Sequence, residues 1–284
     1  MPNLKISQTF SSLQHPNFRL WFSGQVVSLI GTWMQATAQG YLVYELTQSP
    51  IMLGVVGFAN GIPVWLFSLY GGLIADQISR RKMLYITQGS MLVLAFILAA
   101  LTFTGAVQAW HIVILAFLLG TANAFDAPAR QAFVVELVPK EDLTNAIALN
   151  SSVFNLGTII GPTVAGLIYA WLGPGWCFTI NGISFIAVLI ALALMHLSPR
   201  MPLITNKSPI RNLVEGVRYA FDDAHIRLLL IVLGAFSVFG FGLLTLMPAW
   251  ATNVLGGDVR TNGLLLSARG VGSLIGALMI AYLG

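Results

Sequence analysis

One carboxylate and three cations fall within seven residues of this chain, at Asp76, Arg80, Arg81 and Lys82. They follow 25 uncharged residues, Ile51 to Ala75, a run long enough to cross a bilayer as a helix. The charges therefore sit where a span leaves the membrane. The chemistry open to them is electrostatic. A carboxylate at a helix end, and cations facing acids on neighbouring segments, hold two elements together in one state and release them in another. A positive-inside loop with an incidental acid has the same composition. Asp126, Arg130 and Glu136 form a second charged group within the segment 126–142. That segment reads as a short cytoplasmic helix begun by Asp126 and Pro128. It also reads as a source of acids, Asp126 or Glu136, for the Arg80–Lys82 cluster. Covalent chemistry has no comparable candidates. His15, His111, His196 and His225 are scattered and Cys177 stands alone, so metal-ligand spacing, a nucleophile motif and an intrachain disulfide are all missing. The chain is not expected to be an enzyme or to carry a cofactor or metal.

Uncharged polar side chains offer a second kind of chemistry. Gln25, Ser28, Thr32, Gln35 and Gln39 recur at spacings of three and four, so on a helix they share one face. An unpaired amide in hydrocarbon is strongly disfavoured, so this face must meet protein or water. It either lines a substrate cavity or glues packed helices together. Asn60, Asn155 and Arg269 are further polar residues inside apolar stretches and join Gln25, Thr32, Gln35 and Gln39 as cavity-lining candidates. A mid-span Arg costs about 2.5–3.5 kcal/mol on insertion scales, so Arg269 needs a partner, a water-filled cavity or the interface.

The elements that position these groups follow from composition. Of 284 residues, 57% are hydrophobic and 8% charged, with a net charge of +4. Soluble domains carry about 25% charged residues, so this is an integral membrane protein. Its cations interrupt apolar runs rather than forming a patch, which argues topology and not a nucleic-acid partner. The N-terminus lacks the order of a signal peptide, and the first span, between Arg19 and Glu45, is expected to remain. The second follows the turn Thr47–Pro50. The 43 uncharged residues Met83–Phe125 are split by Thr104–Gln108 into a third and a fourth span. Leu143–Pro199 is split by Gly173–Gly175 into a fifth and a sixth. In the fifth, Gly157, Gly161 and Ala165 lie four apart and admit a neighbouring backbone, and Pro162 removes the hydrogen bond to the carbonyl of Thr158. After Pro199 the apolar stripe Ile210, Leu213, Val214, Val217 and Phe221 predicts an amphipathic surface helix. Two more spans follow, from about Leu228 to Val254 and from about Asn262 onward. With the N-terminus inside, twelve of the fourteen basic residues are cytoplasmic, as the positive-inside rule requires.

Gly72, Ala75, Asp76, Arg80 and Arg81 resemble the loop between the second and third helices of the major facilitator superfamily, whose pattern is roughly G-x-L-a-D-r-x-G-R-r. Ile74, Gln77 and Ser79 depart from it. Gly157, Gly161, Pro162, Ala165 and Gly166 are similar to the fifth-helix signature of its exporting, antiporter-type members. Segments such as 125–131, with Asp126, Pro128 and Arg130, look like the bacterial branch containing enterobactin exporters and macrolide-efflux proteins. The resemblance implies an all-α membrane protein of two six-helix bundles around a cavity, worked by alternating access. This chain would supply a complete N-terminal bundle (1–198), a cytoplasmic linker (199–226) and the first two helices of the second bundle (227–284). Asp76, Arg80, Arg81, Asp126, Arg130 and Glu136 would form the conformational switch, with Asp76 acting on a helix N-terminus and the arginines on acidic partners.

Many proton-coupled members also carry R-x-x-q-G in helix four. Gly120 is present here, but Ala116 stands where the Arg would be, and no acid is expected mid-membrane in the first six spans. A coupling proton is therefore not tied to a named residue. The implied function is export of a small amphipathic, drug- or siderophore-like molecule across the bacterial cytoplasmic membrane by a monomeric, multi-pass transporter. The alternatives are an uptake facilitator or lipid flippase of the same fold, or a non-transporting membrane fragment. A shift of 209 residues superimposes Gly31 on Gly240, Gly54 on Gly263, Ala59 on Ala268 and Gly61 on Gly270, so spans seven and eight read as copies of one and two. Asp76 would then have its counterpart at position 285, and the chain is expected to be a C-terminally truncated transporter, unable to work alone.

Overall fold

The computed structural model describes residues 10–197, 218–219 and 221–283, with their side chains except at 69, 71–77, 238–239, 241, 277–278 and 280–283. The expected linker helix and the side chain of Asp76 lie outside the described residues. Among the described residues every regular element is helical. α1 (Pro16–Thr47) opens on a proline, whose missing N–H has no partner to lose in a first turn. It stops at Gln48, where a left-handed φ of 49° brings the N–H to Tyr44 O at 2.8 Å. α2 (Pro50–Gln77), α3 (Arg80–Phe103), α4 (Ala109–Leu137), α5 (Leu143–Leu172) and α6 (Pro174–Leu194) follow. α3 and α4 part at 104–108, where Gly105 has φ 69°. α5 and α6 part at the single residue Gly173, at φ 90°, a conformation glycine alone adopts without strain. α7 (Ala224–Thr245) begins at Asp223, whose Oδ1 accepts the N–H groups of His225 and Ile226. A short helix, Met247–Asn253, leads to α8 (Val259–Leu283).

Three boundaries differ from expectation. Segment 126–142 does not begin a separate helix. α4 runs through Asp126 and Pro128 to Leu137, a length of 29 residues or about 43 Å at 1.5 Å per residue, which exceeds the ~30 Å hydrocarbon core. The seventh span does not reach Val254 unbroken, because Pro248 cannot donate to the preceding turn and the chain restarts there as the short helix. α8 starts at Val259, ahead of Asn262, where Asp258 Oδ1 accepts the N–H groups of Arg260 and Thr261.

Among the described residues, α2 to α7 are each long and apolar enough to cross a membrane. α1 is not among them, because its polar residues lower its mean hydropathy. α1 packs against α5 and α6, α2 against α4, α3 against α4 and α6, and α5 against α8. The apolar side chains of α7 from Leu228 to Leu233, and Phe236, are all exposed, as suits contact with lipid. Two apolar cores bracket the molecule along α1. One gathers Phe18, Trp21, Phe133 and Leu192 around its start. The other gathers Met34, Leu42, Val43 and Tyr44 with Phe178 around its end. The polar stripe of α1 runs between them.

Candidate functional site

That polar middle opens onto a cavity of about 460 Å³ walled by α1 to α8 with the exception of α5's small-residue face. Ser28, Thr32, Gln35 and Gln39 of α1 line it, and so does Asn60 of α2. Asn60 also donates to Ala116 O at 3.2 Å, and its own carbonyl lies where a Cβ on Gly120 would come within 2.1 Å. Gly120 therefore lets α2 and α4 cross in near-backbone contact. Gln35 is both wall and glue, because its Oε1 accepts from Asn181 Nδ2 at 2.8 Å. Gln25, Asn155 and Arg269 do not line the cavity. Gln25 is buried beside the first core with Nε2 unpartnered; Asn155 is half-buried and Arg269 exposed. Asn155 is the immediate neighbour of Phe154, which does line the cavity, a difference that spacing along the chain could not reveal.

Asp126 is the largest departure from expectation. It starts no helix, and its ion pair is with Arg130 rather than Arg80. It is 1% exposed inside the bundle and lines the cavity. Its Oδ1 accepts from Thr87 Oγ1 at 2.8 Å and Gln88 Nε2 at 2.9 Å, both on α3. Its Oδ2 lies 3.1 Å from Arg130 Nη2, one turn along α4, without the alignment of a directed hydrogen bond. Glu136 does face the cluster, with Oε1 3.0 Å from Arg80 Nη1. The same guanidinium donates to Ala132 O at 2.7 Å, tying α3 to the end of α4. Arg81 donates to Ala193 O at 3.1 Å, at the end of α6. His15, beyond the start of α1, meets Asp142 at 2.7 Å, and Ser12 N–H donates to Asn145 at 3.1 Å.

The small-residue motif of α5 serves two partners. A Cβ on Gly157 would lie 3.2 Å from Leu29 O, and one on Gly161 3.0 Å from Ile30 O, so this face takes α1. The other face takes α8: a Cβ on Gly166 would meet Val259 O at 3.0 Å, one on Gly263 would meet Pro162 O at 2.4 Å, and one on Gly270 Thr158 O at 2.9 Å. Ser267 donates to Ile159 O at 2.5 Å and accepts from Thr163 at 2.7 Å. The carbonyl this α8 hydroxyl meets is that of Ile159, next to the Thr158 carbonyl that Pro162 leaves without an N–H. Ala165 is fully buried in the core and its carbonyl accepts from Cys177 Sγ at 3.8 Å. Farther along, Tyr169 donates to Glu45, linking α5 to the end of α1.

Sequence reasoning did not single out Thr87, Gln88, Asn181, Ser184 or Asn262. Each is an isolated polar residue in an apolar run, and only the pairing across helices distinguishes it.

The helical bundle has a counterpart among solved structures, and the sequence has relatives. The chain is 27% identical over 265 residues to the staphyloferrin A transporter of Staphylococcus aureus, covering 92% of this chain and 66% of that protein. It is 27% identical over 269 residues to the enterobactin exporter EntS of Shigella flexneri, with 93% and 62% covered. It is 24% identical over 272 residues to macrolide efflux protein A of Streptococcus pyogenes, with 94% and 66% covered. The chain thus spans about two thirds or less of the length of these relatives. Among solved structures, a bacterial homologue of the human lysosomal transporter Spinster, in an inward-facing and unoccupied conformation, shares the fold. Its TM-score is 0.70 at 15% identity, over 97% of this chain and 63% of that one. Residues 7–284 match the family described as transmembrane secretion effectors, and the chain accordingly belongs to that family of the major facilitator superfamily.

Proposed function

We propose that this chain forms part of a secondary active transporter that exports a small amphipathic molecule, drug- or siderophore-like, across the bacterial cytoplasmic membrane by alternating access. The observation that carries the reading is the 460 Å³ cavity, apolar in most of its wall but crossed by the polar stripe of α1. The similarity to an enterobactin exporter and a macrolide efflux protein supports export as the direction. Residues 1–198 act as the N-terminal bundle, 199–226 as the linker and 227–284 as the start of the second bundle, with the N-terminus in the cytoplasm and no second copy required.

In that orientation the α5–α8 contact lies toward the outer side, and its close packing keeps that side shut. Arg80–Glu136, together with Asp76, belongs to the cytoplasmic switch. Asp126 and Arg130 form a separate pair inside the bundle, and a coupling proton is not tied to a named residue. α1 and α8 cross the membrane as inward-facing helices whose polar groups are shielded by their neighbours.

The test is a strain lacking the gene, compared with its parent for intracellular accumulation of amphipathic antibiotics and secretion of siderophores. Raised accumulation or lost secretion, reversed by the restored gene, is the expected result. A strain indistinguishable from its parent across both panels overturns the reading.

A further inference from the structure

Away from the central cavity, α3 and α4 bound a groove of about 780 Å³. It faces out of the bundle, for Ile86, Val93 and Leu118 in its wall are all exposed. Gly89 lines it too, and a Cβ there would meet nothing within 4 Å. Three hydroxyls border the groove, and each is spent inside the protein. Thr87 donates to Asp126, Ser90 to Ile86 O at 2.8 Å and Thr121 to Phe117 O at 2.9 Å. The groove therefore suits hydrocarbon. At one end stands the cluster Arg80, Arg81 and Lys82, and two of these cations are already engaged. Arg80 meets Glu136 and Ala132 O. Arg81 donates to Ala193 O and lies 5.9 Å from the centre of the Tyr85 ring. Lys82 is exposed and has no carboxylate partner among the described residues. Its position, one turn before Ile86, puts it on the same face of α3 as Gly89 and Val93.

We propose that the α3–α4 groove is a binding site for one anionic phospholipid, with an acyl chain along Gly89 and Val93 and the headgroup phosphate at Lys82. Charge and length both favour this occupant. From Lys82 to Val93 the helix rises about 16 Å at ~1.5 Å per residue, close to half of a ~30 Å hydrocarbon core. The groove thus matches a single leaflet, with its cation at the headgroup level. A lysine stem lies along apolar surface while its ammonium reaches the interface, and basic groups beside intermembrane grooves attract anionic headgroups. A zwitterionic lipid brings its own cation next to the phosphate, which opposes Lys82. A headgroup of net negative charge does not. On the α4 side the chain meets Leu118, Ala122 and Phe125, which recur at spacings of four and three and so share one face.

The test places the chain in nanodiscs holding equal amounts of phosphatidylglycerol and phosphatidylcholine with identical acyl chains. Native mass spectrometry then counts the lipids that stay bound when the chain is released. Both leaflets hold the same mixture, so the result depends neither on orientation nor on transport. Phosphatidylglycerol is expected to be retained about threefold or more over phosphatidylcholine, as one interfacial lysine allows. Lys82→Gln should bring that ratio close to one, while Lys140→Gln, an exposed cation between α4 and α5, should leave it unchanged. Gly89→Leu fills the groove and should remove the retained lipid of both kinds. Gly54→Leu, whose Cβ also enters open space, should not. Melting curves identify any variant that has lost its fold, and the wild-type ratio needs no variant at all. Equal retention of the two lipids overturns the proposal, as does a folded Lys82→Gln or Gly89→Leu protein that retains lipid like the wild type. A dimer that Gly89→Leu abolishes would give the groove to a second copy of the chain and overturn it as well.

Discussion

Gly263→Ala tests whether the α5–α8 contact is a closure or merely packing. The added Cβ would lie 2.4 Å from Pro162 O and 3.4 Å from Gly166 Cα. Ordinary contact begins at 3.4 Å, so the helices must part by about 1 Å, and a backbone carbonyl cannot rotate away as a side chain would. Overpacking of this kind costs about 1–3 kcal/mol. Alanine is favoured over glycine in a helix by up to about 1 kcal/mol, but α8 is helical whether the contact is open or shut, so that gain cancels between the two states. The remaining penalty falls on the closed state alone and shifts the equilibrium toward opening by about 5- to 150-fold. The assay places a cysteine at Gln39, a cavity residue 8% exposed, and follows its labelling by a membrane-impermeant maleimide added outside intact cells. Buried Cys177 serves as the native background. Labelling is expected to accelerate at least fivefold in Gly263→Ala. Gly272→Ala, where nothing lies within 4 Å, should leave the rate unchanged. A lowered melting temperature with no change in labelling would refute the reasoning, because the contact would then stabilise every state equally.

Three further outcomes follow from the geometry. Gly120→Ala sets a Cβ 2.1 Å from Asn60 O, whereas Gly61→Ala meets open space, so the first should lose about 1–3 kcal/mol of stability and the second almost none, as read from melts in detergent. Asp126→Asn leaves Arg130 without its anion but keeps an acceptor for Thr87, and should cost about 1–3 kcal/mol. Adding Arg130→Gln should recover part of the lost melting temperature, and a double variant worse than the sum of its parts would deny the pairing. Glu136→Gln breaks a pair whose side chains are 23% and 20% exposed and should lower stability by about 1 kcal/mol, with the difference from wild type shrinking in 1 M salt, where screening acts within about 3 Å. Unchanged salt dependence would place the contribution of Glu136 elsewhere.

The positions of the turns were legible in the chain because glycine, proline and short polar runs act locally. Gly173 interrupts 57 uncharged residues at a φ of 90°, and no distant contact is needed to break a helix there. The close faces of Gly157 and Gly161 were legible for the same reason, since a residue with no Cβ allows approach whatever the partner is. The identity of that partner was not in the spacing: α5 gives one face to α1 and another to α8. Asp126 shows the limit most clearly. Read along the chain, a carboxylate ending a run of 43 uncharged residues marks a membrane boundary, because an isolated charge in hydrocarbon is prohibitive. The tertiary structure brings Thr87 and Gln88 from α3 to one oxygen and Arg130 to the other, so the carboxylate is partnered within the bundle while α4 continues to Leu137. Periodicity likewise put five polar residues of α1 on one face, but which of them meets a cavity, a neighbouring helix or a buried core depends on what stands opposite. That is decided only when the helices pack.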